Sequence, residues 1–453
     1  MSKMTFLEKI AEFTCSRNEV SPEVAERAQI AVRDTIGCML AGCREASVEA
    51  AVNWATASSG SAQASVVGRK GLRLDVRSAA MINAMSAYAC DYDDMCDAGC
   101  GHPSMPVLPV ALAIAEHLGI GDRRMLNAYI RGVEVSALIG AGFKNSTLSL
   151  CWNPTTISGG FGAVAAAAYL LDLTITQTTA AFAMMTCEIG GTKGNYGTPA
   201  KDVSAGILCA KAIICAQLAK EGITANPAAF SCSTGIAAAI APDYDYEAVE
   251  SVLKAKKSIF ISPGLIPKPY PCCRSNHNAI DGTLKICKEH QITEDMVDSI
   301  ICRIDPPSWT LDAYHCPDTP EQGKFSTAYC VAIALLHRRV VLDDFSGSEI
   351  LEKRVFPLIA RTKVVRDDTF QNAHFGNEIT LKLKDGKTYT YRGTHAKGEA
   401  CNPMTEEELR DKFLCCGERY YTKNSVQALF DSLSPGMRIP SVFGMNETLI
   451  DIQ

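Results

Sequence analysis

Small apolar residues repeated at helical spacing are the feature that most narrows the folds open to this chain. Pro22 to Ala41 shows the 3.6-residue period. The same pattern recurs in Glu49 to Ala57, Asp122 to Gly140, Gly159 to Leu171, Thr176 to Cys187 and Ala205 to Glu221. Helices rich in alanine and glycine can pack with their backbones close together. The sequence therefore predicts an all-helical arrangement over roughly the first 260 residues.

The composition changes at a segment with four prolines in nine residues, Pro263 to Pro271, which is typical of a hinge or domain crossing. Beyond it, alternating polarity predicts strands over Ser299 to Ile304 and Lys363 to Arg366. Glu378 to Arg392 is predicted to form two strands joined by Asp385-Gly386, a strong hairpin signal. Predicted helices lie between these strands: Ala279 to Glu289, Ser326 to Arg338 and Ser348 to Ile359.

These patterns predict a mainly α protein with an α+β second domain. We place a large helical domain at residues 1–267 and a smaller α+β lid domain at 268–397. Helical character returns after Thr405, so we expect residues 398–453 to rejoin the helical domain.

Charge and composition exclude several kinds of partner. The 453 residues carry a net charge of −6, which disfavours nucleic acid and anionic membranes as partners. No export signal is visible in MSKMTFLEKIAEF, and the most apolar stretch, Ile157 to Leu171, is too rich in small residues to suit a bilayer span. We expect a cytoplasmic protein.

The 20 cysteines are spread along the chain without a C-x-x-C pair, so we predict buried thiols and no metal site. The thiols of Cys90, Cys96 and Cys100 leave an iron–sulfur centre open, but their spacing matches none of the usual ligand runs.

The densest group of reactive side chains lies between Tyr88 and Pro109. It holds the acids Asp91, Asp93, Asp94 and Asp97, and His102, which precedes a proline and a predicted helix from Met105 to Leu118. An imidazole held at a helix start beside acids is a candidate proton shuttle. The alternative is a capped helix start with solvated acids.

Three further clusters could contribute cations. Gly190 to Gly206 is glycine-rich and carries Lys193 and Lys201 before a helix, a pattern suited to binding a carboxylate. KPYPCCRSNH places Lys268, Arg274 and His277 at the domain crossing, and GKFSTAY places Lys324, Ser326 and Tyr329 at a helix start. The respective alternatives are a surface loop, an interdomain salt-bridge seam and a simple N-cap. No dinucleotide fingerprint and no G-x-S-x-G nucleophile elbow occurs.

Taken together, these motifs resemble the MmgE/PrpD family. The resemblance is carried by DYDD, GHPSMPVLP, Lys201 before AG, KPYPCCRSNH, GKFSTAY, the DG hairpin and KGEACNPMTEEELRDKF, in that order along the chain. It implies a homodimer with a cofactor-independent site between its two domains. It points to Asp91, His102 and Lys201 as catalytic residues, with substrate-binding candidates Lys268, Arg274, His277, Tyr329 and Asn153.

The chain departs from the family pattern in three places. Met95 stands where many members have Thr, Asn153 where many have His, and Ser204 where the family often has His.

The resemblance implies proton transfer at a carbon next to a carboxylate. We expect Lys201, Lys268 and Arg274 to anchor a small polycarboxylate while His102, oriented by Asp91, moves the proton. The leading hypothesis is a lyase, either a dehydratase or a decarboxylase. Because two family imidazoles are replaced, an epimerase or isomerase of a dicarboxylate is the rival. A catalytically silent binding protein is the third possibility.

Overall fold

The computed structural model describes residues 4–58, 60–99, 101–143, 151–347, 354–370 and 375–452. Helices dominate this chain up to residue 255, and their apolar side chains form one continuous core. They are Phe6–Cys15, Pro22–Gly42, Ala46–Ser58, Val76–Ala89, Ser104–Leu118, Asp122–Ala141, Pro154–Leu170, Ile175–Met185, Ala200–Lys220, Ile236–Ile240 and Tyr246–Ala255.

The predicted close packing of these helices is confirmed where Asp122–Ala141 crosses Pro154–Leu170. A Cβ atom added at Gly162 would lie 2.5 Å from the carbonyl oxygen of Gly132, which is closer than real Cβ atoms come. The two backbones therefore touch because both positions are glycine.

The prediction that this part is all-helical is wrong in one detail. Two short strands, β1 (Ala64–Ser65) and β2 (Arg73–Leu74), pair in antiparallel fashion. Gly68 and Gly71, with φ of 73° and 78°, allow the chain to reverse between them, a conformation that side chains disfavour.

A second core begins after the proline-rich segment and contains a four-stranded sheet in the order β4-β3-β5-β6. The strands are β3 (Val297–Ile304), β4 (Thr362–Arg366), β5 (Asn377–Leu383) and β6 (Thr388–Gly393). The helices of this part are His277–His290, Pro306–Leu311, Pro320–Gly323, Thr327–His337 and Val355–Ala360. Residues 348–353 of the predicted helix Ser348 to Ile359 lie outside the described residues.

The hairpin predicted at Asp385-Gly386 is confirmed. Strands β5 and β6 pair in antiparallel register, Gly386 has a φ of 89°, and the Asp385 side chain accepts a hydrogen bond from the Lys387 N–H at 3.0 Å. The predicted fold class, a large helical part with a smaller α+β part, is likewise confirmed.

The last part of the chain contains the helices Glu406–Gly417, Lys423–Ser432 and Val442–Thr448. Phe413, Val426, Leu429 and Met445 are buried in the first core, not the second. The domain boundaries at 267 and 397 stay a prediction.

Among the described helices, Ala200–Lys220 has the length and apolar composition of a membrane span, and 56% of its most apolar window is buried within the protein.

Candidate active site

A cavity of about 420 Å³ lies where the helical part meets the α+β part. Asp91, His102 and Lys201 line it from the first, and Arg274, Leu311 and Phe375 line it from the second. The predicted cluster of acids, cations and imidazole is therefore assembled around one space.

Asp91 lies just after helix Val76–Ala89 in a left-handed backbone conformation, with a φ of 50°. Its carboxylate is buried between two lysines: Lys201 Nζ is 2.9 Å from Oδ1 and Lys268 Nζ is 3.0 Å from Oδ2. Burial acts to raise the pKa of Asp91, but Lys201 and Lys268 outweigh it and hold that pKa well below its usual range. Asp91 is therefore a fixed negative charge.

Lys201 lies in the first turn of helix Ala200–Lys220. Its ammonium group is 3.3 Å from the ring centre of Tyr88, a cation–π contact. Burial acts to lower the pKa of Lys201, but Asp91 more than offsets this and the pKa is raised. The ammonium group is thus suited to hold negative charge and unsuited to accept a proton.

Three lysines from distant segments hold the bend that follows Tyr88. Lys324 donates to the carbonyl of Ala89 at 2.8 Å, Lys268 to that of Asp91 at 2.8 Å, and Lys412 to that of Tyr92 at 2.9 Å. Charged donors make strong hydrogen bonds. The bend in the helical part is therefore held by Lys268 and Lys324 from the middle of the chain and by Lys412 from its last part.

His102 lines the cavity, and its backbone N–H donates to Thr155 Oγ1 at 3.2 Å. The predicted orienting partner, Asp91, is wrong, because His102 Nδ1 lies 3.1 Å from Asp93 Oδ2 while both lysines occupy the Asp91 carboxylate. Asp93 is buried, and within the described chain neither of its oxygens accepts a well-aligned hydrogen bond. The His102 imidazole is thus the side chain placed to pair with this buried carboxylate.

Asp94 is equally buried, but no cation among the described residues forms an ion pair with it. It accepts hydrogen bonds from Ser104 N at 3.3 Å and from Ser104 Oγ at 2.5 Å. Burial raises the pKa of Asp94 to about 8, despite the opposing effect of the Ser104 hydroxyl.

Arg274 lines the cavity but is held from behind by two acids. Its guanidinium is 3.3 Å from Asp97 Oδ1 and 2.6 Å from Glu399 Oε1, and its side chain is only 2% exposed.

The other predicted substrate-binding residues are not among those that line the cavity. Lys268 is buried behind Asp91, and Asn153 caps helix Pro154–Leu170 by accepting from Thr155 N at 3.1 Å. Buried His277 lies 3.3 Å from the Cys272 carbonyl, and its pKa is well below the usual value because of burial and the nearby cations Lys268 and Arg274. Tyr329 points into the second core, where its hydroxyl donates to the Asp344 carbonyl. These four residues do not line the cavity, and their predicted role in substrate binding stays a prediction.

Leu311, Arg366 and Phe375 also line the cavity and were missed. They lie on a short helix, a strand end and a segment before β5, and each reaches the cavity only through the tertiary fold. No local motif marks them in the sequence.

The cysteines within the described chain are all free thiols. Among the same residues, His395, Glu399 and Cys401 place their ligand atoms within 4.8 Å of one another, yet Glu399 already binds Arg274 and none of the three lines the cavity. Cys100 lies outside the described residues.

The fold and the site define a two-part protein whose cavity combines an imidazole–carboxylate pair with fixed cations, as acid–base enzymes do. The chain belongs to the MmgE/PrpD family: residues 8–249 match the MmgE/PrpD N-terminal domain and residues 270–433 match the MmgE/PrpD C-terminal domain.

Three curated relatives are cis-aconitate decarboxylases. The one from Mus musculus is 23% identical over 91% of this chain and 86% of its own length. The one from Homo sapiens is 24% identical over 90% of this chain and 87% of its own. The one from Aspergillus terreus is 24% identical over 87% of this chain and 85% of its own.

Proposed function

We propose that this protein is a lyase that removes carbon dioxide or water from a small di- or tricarboxylate by proton transfer at a carbon next to a carboxylate. The observation that carries this proposal is the contact of 3.1 Å between His102, which lines the cavity, and the buried carboxylate of Asp93. The cis-aconitate decarboxylase relatives support the same class of reaction.

In the decarboxylation, the bond between a carboxylate carbon and its neighbour breaks, and the electron pair stays on the neighbouring carbon. His102 delivers a proton to that carbon, and Asp93 stabilises the protonated imidazole beforehand. Lys201 holds the negative charge that develops on the remaining carboxylate, in a buried place where water does not screen it. In dehydration, neutral His102 first takes a proton from carbon, the C–O bond on the neighbouring carbon then breaks, and the departing hydroxide takes a proton from a second acid to leave as water.

An epimerase of a dicarboxylate is the second candidate, and one observation favours it. His102 is the one imidazole among the described residues that line the cavity, because Asn153 caps a helix and His277 is buried elsewhere. A single base exchanges a carbon-bound proton without the second acid that departing water needs.

The test is to incubate the purified protein with cis-aconitate and related di- and tricarboxylates in deuterated water, and to follow carbon dioxide, alkene and deuterium by NMR. Carbon dioxide or a new alkene supports the lyase. Deuterium incorporation without either one supports the epimerase. Binding without any chemical change supports a silent member of the family.

His102→Ala is expected to lower kcat/KM by about 10²- to 10⁴-fold, the usual contribution of a positioned acid or base. His117→Ala is the matched control, because His117 is exposed at the end of the helix that follows His102. Full turnover by His102→Ala would show that another group moves the proton.

We also propose a homodimer, as the family resemblance implies. Helix Ala200–Lys220 carries exposed Ile207, Ile214 and Leu218, a stripe that a second copy would cover. Sedimentation analysis of Ile214→Asp, expected to be monomeric against a dimeric parent, tests this.

A further inference from the structure

The cavity has two unlike ends. The inner end holds Lys201 and Asp91, which are 6% and 2% exposed. The outer end has an apolar surface formed by Met95, Phe143, Pro306, Pro307, Leu311 and Phe375, four of which reach solvent, and it also carries the polar residues Asp97, Lys193, Thr310 and Arg366. A site that bound only carboxylates would not need this second surface.

The apolar end is built by specific interactions. The buried carboxylate of Asp305 accepts from Ser308 N at 2.8 Å, which caps helix Pro306–Leu311, and from Phe375 N at 2.8 Å. One side chain thus fixes both walls, and it holds Phe375 in a left-handed conformation with a φ of 61°. Such a conformation is costly for a bulky residue and persists only where the surroundings impose it.

Met95 completes the apolar end from the helical part. Its N–H donates to the Ile266 carbonyl at 2.9 Å, and the Ile266 N–H donates back to the Met95 carbonyl at 2.8 Å. This bridge fixes the Met95 backbone at the domain crossing, so the apolar surface spans both parts of the chain.

The charges in the described chain leave little capacity for a third carboxylate. Asp91 offsets one of the two charges of Lys201 and Lys268, whereas Asp97 and Glu399 together exceed the single charge of Arg274. These two triads cancel. Arg366 is paired with Asp368 at 2.7 Å, and Asp202, 4.0 Å from Lys201, adds negative charge. Lys193 also lines the cavity, but burial lowers its pKa and it already has an interaction partner of its own.

We propose that the substrate is a dicarboxylate that carries an apolar arm. Its carboxylates bind at the inner end beside Lys201, and the arm lies along Met95, Leu311 and Phe375 towards the mouth of the cavity. This inference rests on the proposed function for the reacting end and narrows the class of acid it accepts. A third carboxylate in place of the arm loses hydration and meets only cations that already have partners, such as Arg366 and Lys193.

The test is calorimetric binding of maleate and its 2-methyl, 2-ethyl and 2-propyl derivatives, with cis-aconitate as the comparison. cis-Aconitate carries a carboxymethyl group where 2-propylmaleate carries an alkyl chain. We expect the affinity to rise by about fourfold for each methylene that becomes buried, and 2-propylmaleate to bind more tightly than cis-aconitate. Affinity that is independent of chain length, tighter binding of cis-aconitate, or no binding of any maleate would overturn the inference.

Leu311→Ser assigns the effect to the apolar wall. The gain in affinity per methylene is expected to fall below about twofold, because a polar side chain then faces the arm. Trp309→Ser is the matched control: Trp309 lies on the same helix, is 44% exposed and is not among the cavity residues, so the gain should stay at the wild-type value. An unchanged gain in Leu311→Ser would contradict the proposed binding surface.

Binding and turnover separate the two proposals. A chain-length effect in binding without carbon dioxide or alkene from any acid would contradict the proposed lyase activity and support the proposed binding of an apolar arm. Turnover of cis-aconitate with no chain-length effect would support the lyase activity and contradict the binding of an apolar arm.

Discussion

Asp91 and Asp94 lie three residues apart on one bend and are equally buried, but their pKa values are shifted in opposite directions. Lys201 and Lys268 hold the pKa of Asp91 well below its usual range against the effect of burial. Asp94 accepts hydrogen bonds from the hydroxyl and the N–H of Ser104 and pairs with no lysine among the described residues, and burial raises its pKa to about 8. Depth alone therefore does not determine the charge of a carboxylate; the kind of partner does.

The opposite pKa shifts of Asp91 and Asp94 distinguish two sides of the bend. On the lysine side the charge is permanent and suited to holding other charges in place. On the other side, Asp93 lies beside His102, and Asp94 lies beside Ser104 with a pKa raised to about 8 by burial. Acid–base catalysis needs fixed charges, which stabilise the charge that develops in the transition state, as well as a group that transfers the proton.

The largest expected effect comes from removing the fixed charge. Asp91→Asn leaves Lys201 and Lys268 buried together with only the more distant carboxylate of Asp202, 4.0 Å from Lys201, so the free energy of unfolding should fall by about 3 to 5 kcal/mol. Urea denaturation measures this. Asp97→Asn is the control: it also removes an acid from a buried cation, but Arg274 keeps Glu399, so about 1 kcal/mol is expected. Equal losses in the two variants would break the comparison.

The Asp94→Asn variant tests the same difference between Asp91 and Asp94 through the pH dependence of stability. Because the folded-state pKa of Asp94 lies above its unfolded value of 3.8, its protonated form stabilises the fold fully below about pH 4, and this stability is lost as the pH rises towards about 8. The asparagine side chain of the variant stays neutral throughout. The stability of the variant relative to the wild type should therefore grow by about 2 to 3 kcal/mol between pH 5 and pH 7.

Asp91→Asn provides the contrast in that experiment. The depressed pKa of Asp91 gives stability that is present above the unfolded pKa and lost only in acid, so its variant should run parallel to the wild type from pH 5 to pH 7. A parallel profile for Asp94→Asn as well would mean that Asp94 is ionised in the fold.

Ser104→Ala should have the smallest effect. Its hydroxyl lies 2.5 Å from Asp94 Oδ2 and 2.5 Å from the Tyr129 hydroxyl, and losing it should cost about 1 kcal/mol. Because this hydrogen bond lowers the pKa of Asp94, its loss should extend the pH-dependent range upward. Ser86→Ala, which removes a hydroxyl bonded to the Ile82 carbonyl, should shift stability without changing the pH profile.

Local patterns in the sequence predicted what depends on near neighbours. The helix periods, the small-residue packing at Gly132 and Gly162, and the Asp385-Gly386 hairpin each follow from residues close together in the chain. The sequence motifs also identified Asp91, His102 and Lys201 as site candidates, and all three line the cavity.

Pairings within the site could not be predicted, because they join distant segments. Lys201 and Lys268 meet Asp91 across 110 and 177 residues. The choice of Asp93 over Asp91 as the neighbour of His102 depends on which carboxylate those lysines take. The outer wall at Leu311 and Phe375 depends on Asp305, whose role as a tie between two segments leaves no periodic signal.

The three lysines that hold the bend have a consequence for protein synthesis. The bend leaves the ribosome early, but its last donor, Lys412, is 320 residues further along than Tyr92. A nascent chain that already contains Asp91, His102 and Lys201 still lacks the C-terminal helix that fixes the bend. The proposed activity should therefore not appear before the helix that carries Lys412 has been made, and truncation before Glu406 should abolish it without removing any residue that lines the cavity.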